Sequence, residues 1–361
     1  MGSDLGRSLV RALSLITLLA VLGLLGALAW LFVIYPDTDG PSGQSEEVVL
    51  EIPEGMTLHE LAEELEERGV IRNASVWSLY MRLRGLDRSL RQGKVRFPLP
   101  MTPEGAARHA TTQLGRIQVR LLIPEGFSRF EIAQRLEEYG VCSAADFLAA
   151  TEDSSLLASY GVEADDAEGY LFPDTYEFDD RTRPRRVVER MLANWIRRYE
   201  EIQQEHAKEL AKLKGWTTHD IITLASIVEK EAAVPSERAR IAGVFWNRLL
   251  SKRFLPRRRL QADPTVQYGC IAVPEAAESC AHYDGRITRA MLEDRDNPYN
   301  TYRHSGLPPG PISNPGKAAI VAVIEPEHHD YYYFVAQGEG HHHFSKTLQQ
   351  HNTAIRRSAE R

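Results

Sequence analysis

The sequence predicts an α+β protein in three parts: an N-terminal transmembrane helix, a small α+β module and a larger mixed α+β domain. Three observations carry this. Residues 13–34 form an apolar run without a charge. The tetrapeptide Ile-Pro-Glu-Gly stands at 52–55 and again at 123–126, each time between a strand-like and a helix-like stretch. The remainder mixes helical periodicity with Pro- and Gly-rich loops and one hairpin pattern.

The apolar run of 22 residues is long enough to cross a bilayer as a helix. Arg7 and Arg11 precede it, and Asp37, Asp39, Glu46 and Glu47 follow. Residues 1–11 therefore read as a cytoplasmic tail and 12–34 as a single-pass anchor in the cytoplasmic membrane, with the bulk of the chain outside. Ala27-Leu28-Ala29 resembles a signal cleavage site, but the apolar run continues past it, which favours the anchor. Residues 35–45, rich in Pro, Gly, Asp and Ser, read as a flexible tether. A length of 361 residues leaves room for two or three domains, and a net charge of −7 argues against a nucleic-acid partner.

Residues 46–122 form the expected first module. A strand over 46–52 leads through the Pro53-Glu54-Gly55 turn into a helix over 58–68, ended by Gly69. The pattern returns with a helix over 131–138, ended by Gly140, and Met101-Thr102-Pro103-Glu104-Gly105 is a shorter echo. Residues 123–361 form the expected second domain. Its stretch 168–178 packs four aromatics around Pro173 in a segment too broken for a helix. A long amphipathic helix follows over 185–214.

Thr217 with Asp220 has the form of a capping box, which starts a helix over 221–231. Ile221, Leu224, Ala225 and Val228 form one buried stripe. Glu229 and Glu231 border that stripe on opposite sides. A carboxyl at such a border can lose solvent and gain a raised pKa, as a general acid requires; a pair of ordinary solvated acids fits the same spacing. A second helix runs through Leu250, then a basic loop over 252–259 and a polar, turn-rich stretch over 260–269. Three cysteines are too few for a disulfide-built scaffold, but Cys270 and Cys280 flank a loop that a bridge would staple on the exported side, leaving Cys142 free. Residues 298–302 and 306–316 make a proline-stiffened loop, 317–324 a short helix, and 331–336 with 342–344 a hairpin. The histidines at 328–329, 341–343 and 351 form no recognised metal pattern, and tandem histidines on a strand point to alternate faces. No metal or cofactor is called for.

From about residue 46 onward the chain resembles the endolytic murein transglycosylases of the YceG-like family. The residues that carry this are Leu224-Ala225-Ser226-Ile227-Val228-Glu229-Lys230-Glu231, Glu168-Gly169 with Pro173-Asp174-Thr175-Tyr176, and Asn247-Arg248-Leu249. Leu260-Gln261 with Asp263-Pro264-Thr265-Val266, Tyr299-Asn300-Thr301-Tyr302 and residues 306–312 also match, as do Tyr333-Phe334-Val335, His342 with Phe344, and His351-Asn352. The first module resembles a LysM-like unit of cell-wall proteins. Three departures stand out. The segment between Arg248 and Leu260 is longer than the family pattern, as is the stretch between Cys270 and Cys280. Gly93-Lys94-Val95 lacks an aromatic expected after the glycine.

The resemblance implies a lytic cut in peptidoglycan glycan strands outside the membrane, near peptidoglycan synthases (penicillin-binding proteins), ending growing strands. It assigns the catalytic acid to Glu229, which the helical pattern alone could not choose over Glu231. It implies that Gln261, Asp263, Asn300, Tyr302 and His342 line the substrate site. A lytic transglycosylase needs one well-placed carboxyl and leaves 1,6-anhydro-MurNAc ends. A lysozyme-like hydrolase would need a second acid, for which Asp263 is the candidate, and a non-catalytic glycan-binding scaffold would need none.

Overall fold

A computed structural model describes residues 2–41, 47–112, 118–179 and 182–359, with side chains from Leu13 to Ser358. The architecture is mixed α+β, and the chain divides into two compact units. One holds Met1–Val119 and Asp179–Arg181, the other Arg120–Phe178 and Thr182–Arg361.

The first unit begins with α1 (Gly2–Ala29), which continues as a π-turn over Trp30–Ile34 and a 3₁₀ turn over Tyr35–Asp37. Within Leu13–Asp37 the helix is long and apolar enough to span a membrane, and most of its leucines stand exposed. The expected flexible tether is corrected at its start. Tyr35 is buried, and its ring meets that of Tyr80 edge-on at 5.7 Å. Arg72 donates to the Asp39 carbonyl at 3.0 Å. Burying an aromatic ring opposes the entropy that a polar tether would keep. Residues 42–45 of that tether, and Glu46 at the head of the expected strand, lie outside the described residues.

After this come β1 (Glu47–Ile52), α2 (Leu58–Glu67), α3 (Ala74–Leu83), β2 (Gly93–Pro98) and α4 (Pro103–Thr111). Strands β1 and β2 are antiparallel, with Val48 opposite Phe97 and Leu50 opposite Val95. Alternation sends Leu50, Ile52, Val95 and Phe97 inward, where Leu61, Leu65, Trp77 and Met81 close the core. Each such fully buried side chain contributes roughly 1.5–3 kcal/mol relative to exposure. Thr57 and Glu60 form a full capping box on α2. The shorter echo of the repeat is a different object. Pro53-Glu54-Gly55 is a turn with Gly55 at φ +84°, whereas Pro103-Glu104-Gly105 is the first turn of α4, capped by Thr102.

The second unit contains most of β3 (Gln118–Leu122), α5 (Arg129–Glu138), α6 (Ala144–Thr151), α7 (Ser154–Ser159) and most of β4 (Thr175–Asp179), with β3 paired to β4. Then come α8 (Pro184–Glu205), α9 (Ala207–Leu210), α10 (Thr218–Glu231) and α11 (Arg238–Leu250). The single helix expected over 185–214 is thus interrupted at His206. The unit ends with α12 (Asp263–Ala272), α13 (Arg289–Glu293), α14 (Lys317–Ile324), the hairpin β5 (Tyr333–Gly338) and β6 (His341–Ser345), and α15 (Leu348–Ala359). The stretch expected to be turn-rich over 260–269 is therefore largely helical. Pro264 sits in the first turn of α12, where its fixed φ helps and its missing N–H costs nothing. Cys270 and Cys280 are disulfide-bonded, and Cys142 is free.

Helix α10 is the centre of this unit. Every residue from Ile221 to Val228 is buried, as expected of a helix covered on all sides. It packs against α11, α12 and α14. The proline-stiffened loop is strapped across it: Ile312 N–H donates to Ser226 Oγ at 3.0 Å, and Ser313 Oγ donates to the Ser226 carbonyl at 3.2 Å. The two ends of α10 reach toward solvent, and its last turn carries both candidate carboxylates.

Candidate active site

Glu229 and Glu231 fall in different surroundings because residues two apart on a helix point about 200° apart. The Glu229 side chain is 5% exposed, with one oxygen 2.9 Å from Arg238 Nη2. Its other oxygen accepts the Gly316 N–H at 3.2 Å. The same Arg238 nitrogen reaches Glu125 at 3.5 Å. Gly126, held at φ +79°, brings the repeated turn against this group, since a Cβ there would lie 3.4 Å from Glu229 Cγ. Burial, together with the nearby Glu229 charge, raises the Glu125 carboxyl above its ordinary value, while Arg238 opposes this. The two oxygens of Glu229 are therefore committed to fixing the end of α10.

Glu231 has no hydrogen-bond partner among the described residues. The residue is half-buried at the end of α10. Desolvation, reinforced by the like charge of Asp263 and offset by Arg248, pushes its pKa up to about 7. Asp263 opens α12 and accepts the Tyr302 hydroxyl at 2.6 Å. Burial and this bond raise the Tyr302 phenol. Arg248 lies under the rings of Phe245, Phe254, Tyr333 and Phe334, each 5.4–5.8 Å from its guanidinium carbon. It donates to the carbonyls of Tyr332 and Leu260. Burial lowers its pKa to about 10, so it stays cationic at neutral pH.

The expected site residues divide. Asp263 and Tyr302 join Glu231 in one charge cluster. Gln261 adopts φ +53°, unusual for a residue with a side chain, and bonds Thr301 through its backbone. The Thr301 hydroxyl also accepts from Ala262 N–H at 3.0 Å, which ties this segment to the Tyr302 loop. Asn300 differs from the expectation of a substrate-lining residue. It is fully buried, and its amide donates to the carbonyls of Met291, Leu292 and Asp294. An amide whose donors are consumed by backbone shapes a loop and has none left for a ligand. His342 is nearly buried on β6, where Glu237 accepts from its backbone N–H and lies 2.8 Å from Nδ1. That contact is with Glu237 rather than with the Glu231 cluster.

Sequence reasoning passed over Arg238, Arg248 and Glu168 as parts of the site. Glu168 is fully buried and accepts from Arg129 N–H, Asn314 and Tyr268, with its pKa pushed up to about 8 by burial. It locks the strapped loop to the start of α5. Next to it Gly169 has φ +86°, and a Cβ there would sit 2.5 Å from Pro311. The signal for Arg248 was present, as a cation in the last turn of an otherwise apolar helix face.

A family model described as the YceG-like family matches residues 50–357. The chain belongs to the YceG-like family. An endolytic murein transglycosylase of Bacillus subtilis is 29% identical over 85% of this chain and 83% of its own length. One from Streptococcus pneumoniae is 28% identical over 95% of this chain, which spans 64% of that longer relative. A crystal structure of a YceG-like protein from Listeria monocytogenes matches at 32% identity and a TM-score of 0.54, covering 85% of this chain and 98% of that one.

Proposed function

We propose that this YceG-like protein is a membrane-anchored endolytic peptidoglycan lytic transglycosylase, and that Glu231 is its proton-transferring carboxyl. The observation that carries the assignment is a half-buried carboxyl with no hydrogen-bond partner among the described residues, set beside Asp263 and Arg248 at the end of α10; partial desolvation there pushes its pKa up to about 7. Such a group is protonated when it meets the substrate and can take a proton back afterwards. Glu229, which the family resemblance first suggested, is occupied by Arg238 and the Gly316 amide. It reads as the anchor that holds the last turn of α10 in place.

In the reaction the Glu231 carboxyl donates its proton to the oxygen linking N-acetylmuramic acid to N-acetylglucosamine. The C–O bond breaks and positive charge develops on the muramyl ring. The ring's own 6-hydroxyl attacks the anomeric carbon, and the Glu231 carboxylate accepts the hydroxyl proton. The products are a free 4-hydroxyl on one side and a 1,6-anhydro-MurNAc end on the other, with no water consumed. Arg248 stays cationic and limits the rise of the Glu231 pKa.

Helix α1 serves as the anchor, with the bulk of the chain on the extracytoplasmic side, and the first unit is LysM-like, contacting glycan. Cutting nascent strands there ends their elongation next to peptidoglycan synthases of the penicillin-binding type. Mass spectrometry of peptidoglycan digested by wild type, Glu231→Gln and Glu229→Gln tests the assignment. Anhydro ends are expected from wild type and Glu229→Gln and not from Glu231→Gln; the opposite ranking moves the acid to Glu229. A second reading, a hydrolase, is favoured by the closeness of Asp263 to Glu231, and reducing ends in the digest identify it.

A further inference from the structure

The basic loop over 252–259 has its own chemistry. Lys252, Arg253, Arg257 and Arg258 are exposed, and their side chains make no hydrogen bond or ion pair among the described residues. In a chain of net charge −7, four uncommitted cations within seven residues form a local field of opposite sign. Two large apolar side chains stand among them: Leu250 is 69% exposed and Leu255 is 71% exposed.

This loop is not a loose insertion. Phe254, at its centre, is buried and stacks on Tyr332 at 5.7 Å, over the same Arg248 that sits beside Glu231. At its far end Arg259 donates to the Tyr302 carbonyl at 2.8 Å, and Gly306 N–H donates to the Arg258 carbonyl at 2.6 Å. Arg258 is held at φ +58°, a strained backbone that a free loop would relax. The fold therefore fixes the base of the loop and presents cations and leucines together at its surface.

We propose that this loop docks on the anionic lipid surface of a membrane, with Leu250 and Leu255 entering the headgroup layer and the four cations meeting lipid phosphates. Charge complementarity selects an anionic partner. The exposed leucines select a bilayer over a soluble polyanion, because apolar side chains gain nothing from a hydrated polymer and gain burial in a lipid interface. The loop runs directly into Gln261 and Asp263, so docking steadies the segment that flanks Glu231. The proposal rests on the reading of α1 as a membrane anchor only for the choice of sample, and makes no use of the cleavage chemistry.

The experiment is hydrogen exchange on the full chain in nanodiscs, either of phosphatidylcholine alone or of phosphatidylcholine with phosphatidylglycerol. The expected result is slower amide exchange across 250–259 in the anionic discs only, by about fivefold or more, reversed by high salt. The protection should vanish in the quadruple variant K252Q/R253Q/R257Q/R258Q and fall in Leu250→Ser/Leu255→Ser, while exchange within α10 stays unchanged and reports that both variants are folded. Equal exchange in the two kinds of disc overturns the proposal, as does protection that survives the leucine variant in full. If α1 does not insert, wild type and the quadruple variant are compared for co-sedimentation with phosphatidylglycerol vesicles. Equal binding by the two also overturns it. Because no catalytic readout enters, failure here and failure of the transglycosylase assignment are separate results.

Discussion

The two carboxylates at the end of α10 share one helical turn and differ in almost everything else. Glu229 meets a cation from α11 and an amide from the strapped loop. Glu231 meets a second carboxylate from the start of α12 and no donor among the described residues. The first environment spends the carboxyl on structure. The second leaves it idle, partly desolvated and close to neutral pKa, which is the condition for moving a proton near pH 7. The contrast teaches that a pair of acids in one motif need not be a catalytic pair.

The largest expected effect separates them outright. Glu231→Gln should lower the yield of anhydro ends by about a thousandfold, as loss of a general acid–base group does. Glu229→Gln should keep at least about a tenth of the activity, because its cost is positional. A digest in which the two variants rank the other way breaks the comparison.

Next is the pH dependence. Cleavage should fall as pH rises through about 7, where Glu231 loses the proton it must donate. Stability follows the same group. Its folded pKa is raised, so the folded state holds a proton that the unfolded chain releases above its ordinary value of 4.5. Between those values rising pH therefore removes stability, up to about 3 kcal/mol by pH 7 and above. Glu231→Gln should be more stable than wild type at pH 8 and converge with it near pH 4. Urea unfolding at the two pH values measures this, and a constant difference rules it out.

Two substitutions should act on folding at about 2 kcal/mol each. Glu229→Gln weakens a largely buried ion pair with Arg238. Asn300→Ala strips the amide from three loop carbonyls. Thermal unfolding should show both losses, and KM for glycan should be unmoved in folded Asn300→Ala. A raised KM with unchanged melting would restore Asn300 to the substrate surface.

The smallest effect is the most specific. Asp263→Asn removes the like charge that helps raise Glu231, so the alkaline limb of the rate profile should move to lower pH by about one unit or less. Complete loss of cleavage in that variant, with reducing ends in wild type, would convert the reading to a two-carboxylate hydrolase.

Much of this was legible in the sequence because it depends on near neighbours. The length and polarity of the apolar run give a helix able to span a membrane. Thr217 with Asp220 starts α10, and the spacing of Ile221, Leu224, Ala225 and Val228 gives its buried stripe. The same periodicity puts Glu229 and Glu231 at its border. Local rules failed where a distant partner intervened. Tyr35 belongs to a core and not to a tether because Tyr80 is there to receive it. Asn300 is a separate case: the family resemblance, not a local rule, suggested it lines the substrate site, and its amide is spent on three carbonyls of its own loop.

The choice between the two glutamates was never local. Arg238, Gly316, Arg248 and Asp263 come from three other segments, and only the folded chain brings two of them to one carboxyl and two to the other. A sequence fixes which groups can ionise and which face of a helix they occupy. Proton affinity is set by solvent loss and by charges a few ångströms away, and those are decided when the segments pack.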